Sequence, residues 1–156
     1  MRRVTTMLSV AAVVLMAVDV VAQSKPSFAG EWKIAADHGS PGADLTITQD
    51  GTVMTLAYKA DGQAPAPVKP TFKLDGSVSK NMMAGRGGGA PTEQVSKATW
   101  AGNNIVVTTT TSAGEEKRTF SMTDENLVVE TSMPGRVSGA NVTKVTYKRY
   151  ERGFGG

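Results

Sequence analysis

Residues 104–132 read NIVVTTTTSAGEEKRTFSMTDENLVVETS, and the pattern of this stretch decides the fold. Ile105, Val107 and Thr109 share one parity; Phe120 and Met122 repeat the spacing, and Leu127 and Val129 repeat it again. Between them lie Thr108, Thr110, Thr119 and Ser121. A period of two is the signature of a β-strand that is dry on one side and wet on the other. Ser112-Ala113-Gly114 and Asp124-Glu125-Asn126 separate the runs. Gly, Asn and Asp tolerate the positive φ that tight hairpins demand, so these triplets read as turns.

The same grammar extends in both directions. Candidate strands fall at 28–36, 45–49, 52–59, 68–74, 95–100, 104–111, 117–123, 127–132 and 142–149, with further turns at Asp50-Gly51, Asp61-Gly62, Asp75-Gly76 and Gly102-Asn103. No stretch after the leader holds a helical period over ten residues. One face collects Trp32, Ile34, Leu45, Ile47, Met54, Leu56, Tyr58, Phe72, Ala98, Trp100, Val145 and Tyr147 in addition to those above. A dry face must be covered, and with no helix to cover it the sheet has to curl upon itself. The expected fold is all-β, an antiparallel up-and-down meander closing into a barrel of about 8–10 strands. An odd number of strands would bring first and last together in parallel, so one candidate strand is split, missed or outside the barrel. Two loops stand out, DHGSPGA at 37–43 and the Gly-rich SKNMMAGRGGGAP at 79–91.

The N-terminus is read as a secretory signal peptide over 1–22. Arg2-Arg3 supplies the basic flank, LSVAAVVLMAV the apolar run, and Ala22 the small residue before cleavage. The apolar run is about half of the ~20 residues that a spanning helix needs. The expected organisation is a linker at 23–27, a barrel over 28–150 and a disordered tail at 151–156. The expected location is outside the cytoplasm, periplasmic or extracellular, with no membrane attachment once the leader is removed.

Charge and composition exclude several classes. The net charge of +3 falls by one when Arg2, Arg3 and Asp19 leave with the signal peptide. The remaining basic residues are scattered singly, so no stripe fits a nucleic-acid backbone. The chain has no cysteine, so burial and strand pairing must stabilise it without disulfides. The single histidine, His38, cannot make a metal site alone and reads as a solvated loop residue. No Cys–His dyad is possible, and no catalytic residue, metal or cofactor is nominated. Gly85-Arg86-Gly87-Gly88-Gly89 lacks the following helix that a phosphate cradle requires. Asp50, Asp61, Asp75 and Asp124 sit at hairpin tips and read as turn residues rather than calcium ligands. No acidic residue falls on the inferred interior face of a mid-strand, which removes paired-carboxylate chemistry.

Gly30-Glu31-Trp32 on the first strand resembles the Gly-x-Trp signature that opens lipocalins, and Arg149 in Tyr147-Lys148-Arg149 resembles their late basic residue. In that family the Trp closes one end of the barrel and the Arg packs across its indole. The resemblance therefore assigns Gly30, Trp32 and Arg149 to barrel closure. The F-x-G-x-W start, the TITQDG hairpin and the V-x-Y-K-R finish are also similar to small exported lipocalin-like domains of bacteria.

Candidate ligand contacts are the interior aromatics Tyr58, Phe72, Trp100, Phe120 and Tyr147, together with Arg118, the charged residue on the same parity. An eight-stranded barrel is just wide enough to be filled by its side chains or to hold one small ligand, and these residues serve either reading. An inward guanidinium needs an acceptor, which a ligand carboxylate would supply. The expected function is binding of a small hydrophobic or carboxylate-bearing molecule without catalysis. The alternative is a filled barrel acting as an interaction or structural module, in which Ile105–Thr111 would be a sticky edge if left uncovered.

Overall fold

The computed structural model describes residues 24–35, 43–59, 69–83, 90–134 and 140–151. The expected signal peptide, His38, the glycines at 85 and 87–89, and most of the expected tail lie outside the described residues. Ten strands follow in order: β1 (Gly30–Ile34), β2 (Asp44–Gln49), β3 (Val53–Lys59), β4 (Thr71–Lys73), β5 (Asp75–Met83), β6 (Thr92–Ala101), β7 (Asn104–Thr111), β8 (Gly114–Thr123), β9 (Asn126–Pro134) and β10 (Ala140–Arg149). They form one antiparallel sheet in the order β4-β3-β2-β1-β10-β9-β8-β7-β6-β5, curled into a nearly closed barrel. The first and last strands pair antiparallel, with Trp32 opposite Arg149 and Ile34 opposite Tyr147. The even strand count resolves the parity problem.

The additional strand is β5. Residues 79–83 belong to it and not to a Gly-rich loop, and the 68–74 candidate contracts to β4. The cause lies in the residues that β5 turns inward. Ser79, Asn81 and half-buried Met83 point to the interior, while Val78 and Met82 face solvent. The apolar pattern is thus inverted over this strand. Strand β8 also starts earlier than expected, at Gly114, so Glu115 and Glu116 are strand residues. Strand β7 is no edge, for it is laddered to β6 on one side and β8 on the other.

Between β4 and β5, side chains clasp the two ends of the sheet. The Ser79 hydroxyl accepts the Lys73 backbone N–H at 2.9 Å. Asn81 Oδ1 accepts the Thr71 N–H at 2.8 Å, and its Nδ2 donates to the Thr71 carbonyl at 3.1 Å.

The two barrel ends differ. At the tight end, Asp50 Oδ1 accepts the N–H groups of Thr52 and Val53, each at 2.7 Å. These bonds, with the Thr52 backbone bond foremost, hold the Asp50 carboxyl below the ordinary carboxylate range. Asp124 and Glu125 both take positive φ to turn β8 into β9. Beneath these hairpins, Phe28, Trp32, Met54, Leu56, Ile105 and Phe120 are fully buried. Trp32 Nε1 donates to the Phe28 carbonyl at 2.9 Å, so the plug's polar atom is satisfied. The Arg149 guanidinium covers the indole from outside, its carbon 4.7 Å from the ring centre.

Candidate functional site

Every inward-facing polar side chain on β5 to β8 that is buried falls on one register line. Ser79 lies opposite Ser96, Ser96 opposite Thr109, and Thr109 opposite Glu116. Ser96 and Thr109 share a hydrogen bond of 2.8 Å, and Ser79 is occupied by the β4 clasp. Below this row the interior is solid hydrocarbon around Ala98, Val107 and Phe120.

Glu116 corrects the reading that no acid faces inward. Its side chain is 10% exposed, and Oε1 lies 2.6 Å from Arg118 Nε without being aligned on the N–H. The spacing explains the pair: residues two apart on a strand project from the same face. The clue was present, because Arg118 had been placed inside and Glu116 shares its parity. It was missed because the strand had been started at residue 117. The acceptor that Arg118 requires is thus supplied by the chain itself.

Tyr58 on β3 lies close enough to Arg118 to feel its charge. Burial pushes the Tyr58 hydroxyl pKa up, only partly opposed by the Arg118 charge. Tyr147 on β10 joins them. Its pKa is pushed up to about 12, by burial first and then by Tyr58, with Asp44 adding to the effect and Arg118 opposing it. Both phenols are therefore held protonated at neutral pH, as hydrogen-bond donors.

These groups edge a cavity of about 360 Å³ lined by Tyr58, Arg118, Val129, Thr131, Met133, Thr143, Val145 and Tyr147. Its wall is β8, β9 and β10, with Tyr58 opposite. It opens toward the end of the barrel where β9 stops at Pro134 and β10 starts at Ala140. The volume stands near the lower bound of the ~300–1,000 Å³ usual for small-molecule pockets. One end is polar and the walls are Val, Thr and Met.

Among the expected ligand contacts, Tyr58, Arg118 and Tyr147 converge on this cavity. Phe72 and Phe120 lie in the packed core. Trp100 sits at the tight end, its ring 6.0 Å from that of Phe28 and covered by Lys25 Nζ at 4.8 Å. Parity placed Val129 and Val145 on the inner face without marking them as ligand contacts, and Thr131, Met133 and Thr143 were not singled out at all, since such residues on a strand carry no sign of whether they face packed core or open space.

No family model matches the chain, and no curated protein does. Solved structures do. A crystal structure of a point mutant of the fluorescent protein UnaG superposes with a TM-score of 0.61 at 23% identity, covering 80% of this chain and 96% of that one. Wild-type UnaG gives 0.59 at 23% identity, over 79% and 97%. A second point mutant gives 0.56 at 21%, over 78% and 95%. At this identity the likeness concerns the path of the backbone, which agrees with the strand order and closure described above. The chain has the antiparallel β-barrel fold of these structures.

Proposed function

We propose that this protein is an exported, noncatalytic carrier or sensor barrel, periplasmic or extracellular, that takes one small, partly apolar molecule into the cavity beside Arg118. The observation that carries the reading is the meeting of Tyr58, Arg118 and Tyr147 at one end of an otherwise apolar-walled, open recess. Side chains fill the tight end completely, whereas this end keeps space and keeps donors pointing into it. Export is supported by the order of basic, apolar and small residues over 1–22.

A neutral apolar dye such as Nile red tests binding directly. Saturable fluorescence enhancement is expected, together with a rise in melting temperature, since occupancy at 100 times Kd stabilises by about 2.7 kcal/mol. Val145→Trp, which fills the recess, should abolish both while the variant stays folded. If neither Nile red nor a panel of small apolar compounds affects wild-type protein, the filled-barrel alternative takes its place. Export is checked by N-terminal sequencing of protein recovered from the periplasm, with Gln23 expected first.

A further inference from the structure

We infer that the cavity selects a ligand whose polar end is uncharged, a hydroxyl or a carboxamide, and discriminates against a carboxylate. This rests on the binding reading above and narrows it.

The argument is one of charge and of unused hydrogen-bonding capacity. Arg118 is the one cation among the residues lining the cavity. An arginine facing a pocket by itself would call for an anionic ligand. Here its counter-charge is already present and cannot be washed away: Glu116 lies on the same strand, two residues along, 2.6 Å from Nε and nine-tenths buried. The pair is formally neutral. A carboxylate entering the recess would make the buried set net negative, and a buried charge without a partner is strongly disfavoured. Asp44 sets a further negative charge near Tyr147.

A neutral head group meets no such opposition. The guanidinium fork has donors beyond Nε, and the tyrosine hydroxyls add theirs, so a carbonyl or hydroxyl oxygen can be received. Glu116 Oε1 is buried behind Arg118 and outside the lining of the recess, so it cancels the guanidinium's charge without offering the ligand a contact of its own. A hydroxyl or primary amide offers donor and acceptor together. A carboxylate offers acceptors alone.

The test compares three probes of equal chain length, octanol, octanamide and octanoate, by isothermal titration against the mature protein at neutral pH. Octanol and octanamide are expected to bind at least about tenfold more tightly than octanoate. Glu116→Gln removes the counter-charge at nearly constant shape, and should reverse the order so that octanoate binds best. The inference is overturned if octanoate binds wild-type protein as well as the neutral probes do. It is equally overturned if folded Glu116→Gln keeps the wild-type order. Should that variant not fold, the wild-type order decides alone. Binding of none of the three to either protein is a different failure, because it removes the ligand-binding reading itself.

Discussion

Arg149 lies over the Trp32 ring at 4.7 Å, and the absence of a side chain at Gly30 makes that stacking possible. A Cβ at residue 30 would come within 3.0 Å of Arg149 Nη1. Gly30 also has a φ of +150°, a conformation that L side chains rarely adopt. Gly30→Ala is therefore expected to displace the guanidinium and to destabilise by about 1–3 kcal/mol. Arg149→Met, which keeps the aliphatic cover but loses the charge, should cost about 0.5–1 kcal/mol. Urea unfolding midpoints of the two variants check the order.

The clasp between β4 and β5 gives a local prediction. Ser79→Ala removes a buried acceptor and leaves the Lys73 N–H unpaired, at a cost of about 1–3 kcal/mol. Amide exchange should then accelerate at Thr71 and Lys73 well before it does at β7, which is paired on both sides. Equal acceleration throughout the sheet would mean that the clasp has no separate existence.

Tyr58 and Tyr147 predict alkaline sensitivity. Both phenols have pKa values raised above the ordinary ~10 by burial, Tyr147 to about 12. The folded state thus holds these protons more tightly than the unfolded chain. Their contribution to stability is complete below about pH 10; that of Tyr147 is lost as pH climbs through about 12, and that of Tyr58 as pH climbs through its own raised pKa. Tyrosinate absorbance followed alongside circular dichroism should show a late step that coincides with unfolding. Tyr147→Phe should remove part of that step and shift unfolding to higher pH.

Truncation in the packed half should be far more damaging than truncation at the cavity. Phe120 is fully buried among Val107, Ile105 and Val129, and Phe120→Ala is expected to cost about 3–5 kcal/mol. Thr143→Ala, at the exposed rim of the recess, should change stability by less than about 0.5 kcal/mol. Thermal unfolding of the pair measures how unevenly the barrel is stabilised.

The strands that were legible are those in which β-branched and aromatic residues alternate with polar ones, as in β7, where Ile105 and Val107 face in. The turns were legible for an equally local reason: Asp50 and Asp75 bind the backbone just after them, and nothing distant is needed. The failures share one cause. Strand β5 and Glu116 place polar groups inside, and a binary pattern counts an inward Ser, Asn or Glu as outward. Only pairing reveals the truth, because Ser79, Ser96, Thr109 and Glu116 belong together through the register of four successive strands. Of the residues at which the pattern broke, Glu116 holds Arg118 at the edge of the recess, while those of β5 lie outside its lining.

The placement of β1 beside β10 has a consequence for rearranging the gene. Both chain ends of the barrel emerge at the Trp32 end, where the Tyr150 N–H donates to the Glu31 carbonyl at 2.8 Å. Every backbone ladder thus lies on a circle whose one break falls between Leu74 and Asp75. A circular permutant that starts at Asp75, joins the old termini by a short linker and ends at Leu74 would keep all nine strand pairings. Its strands would then follow one another in space in the order of synthesis, a ribbon wound once around and fastened by the side chains of Ser79 and Asn81.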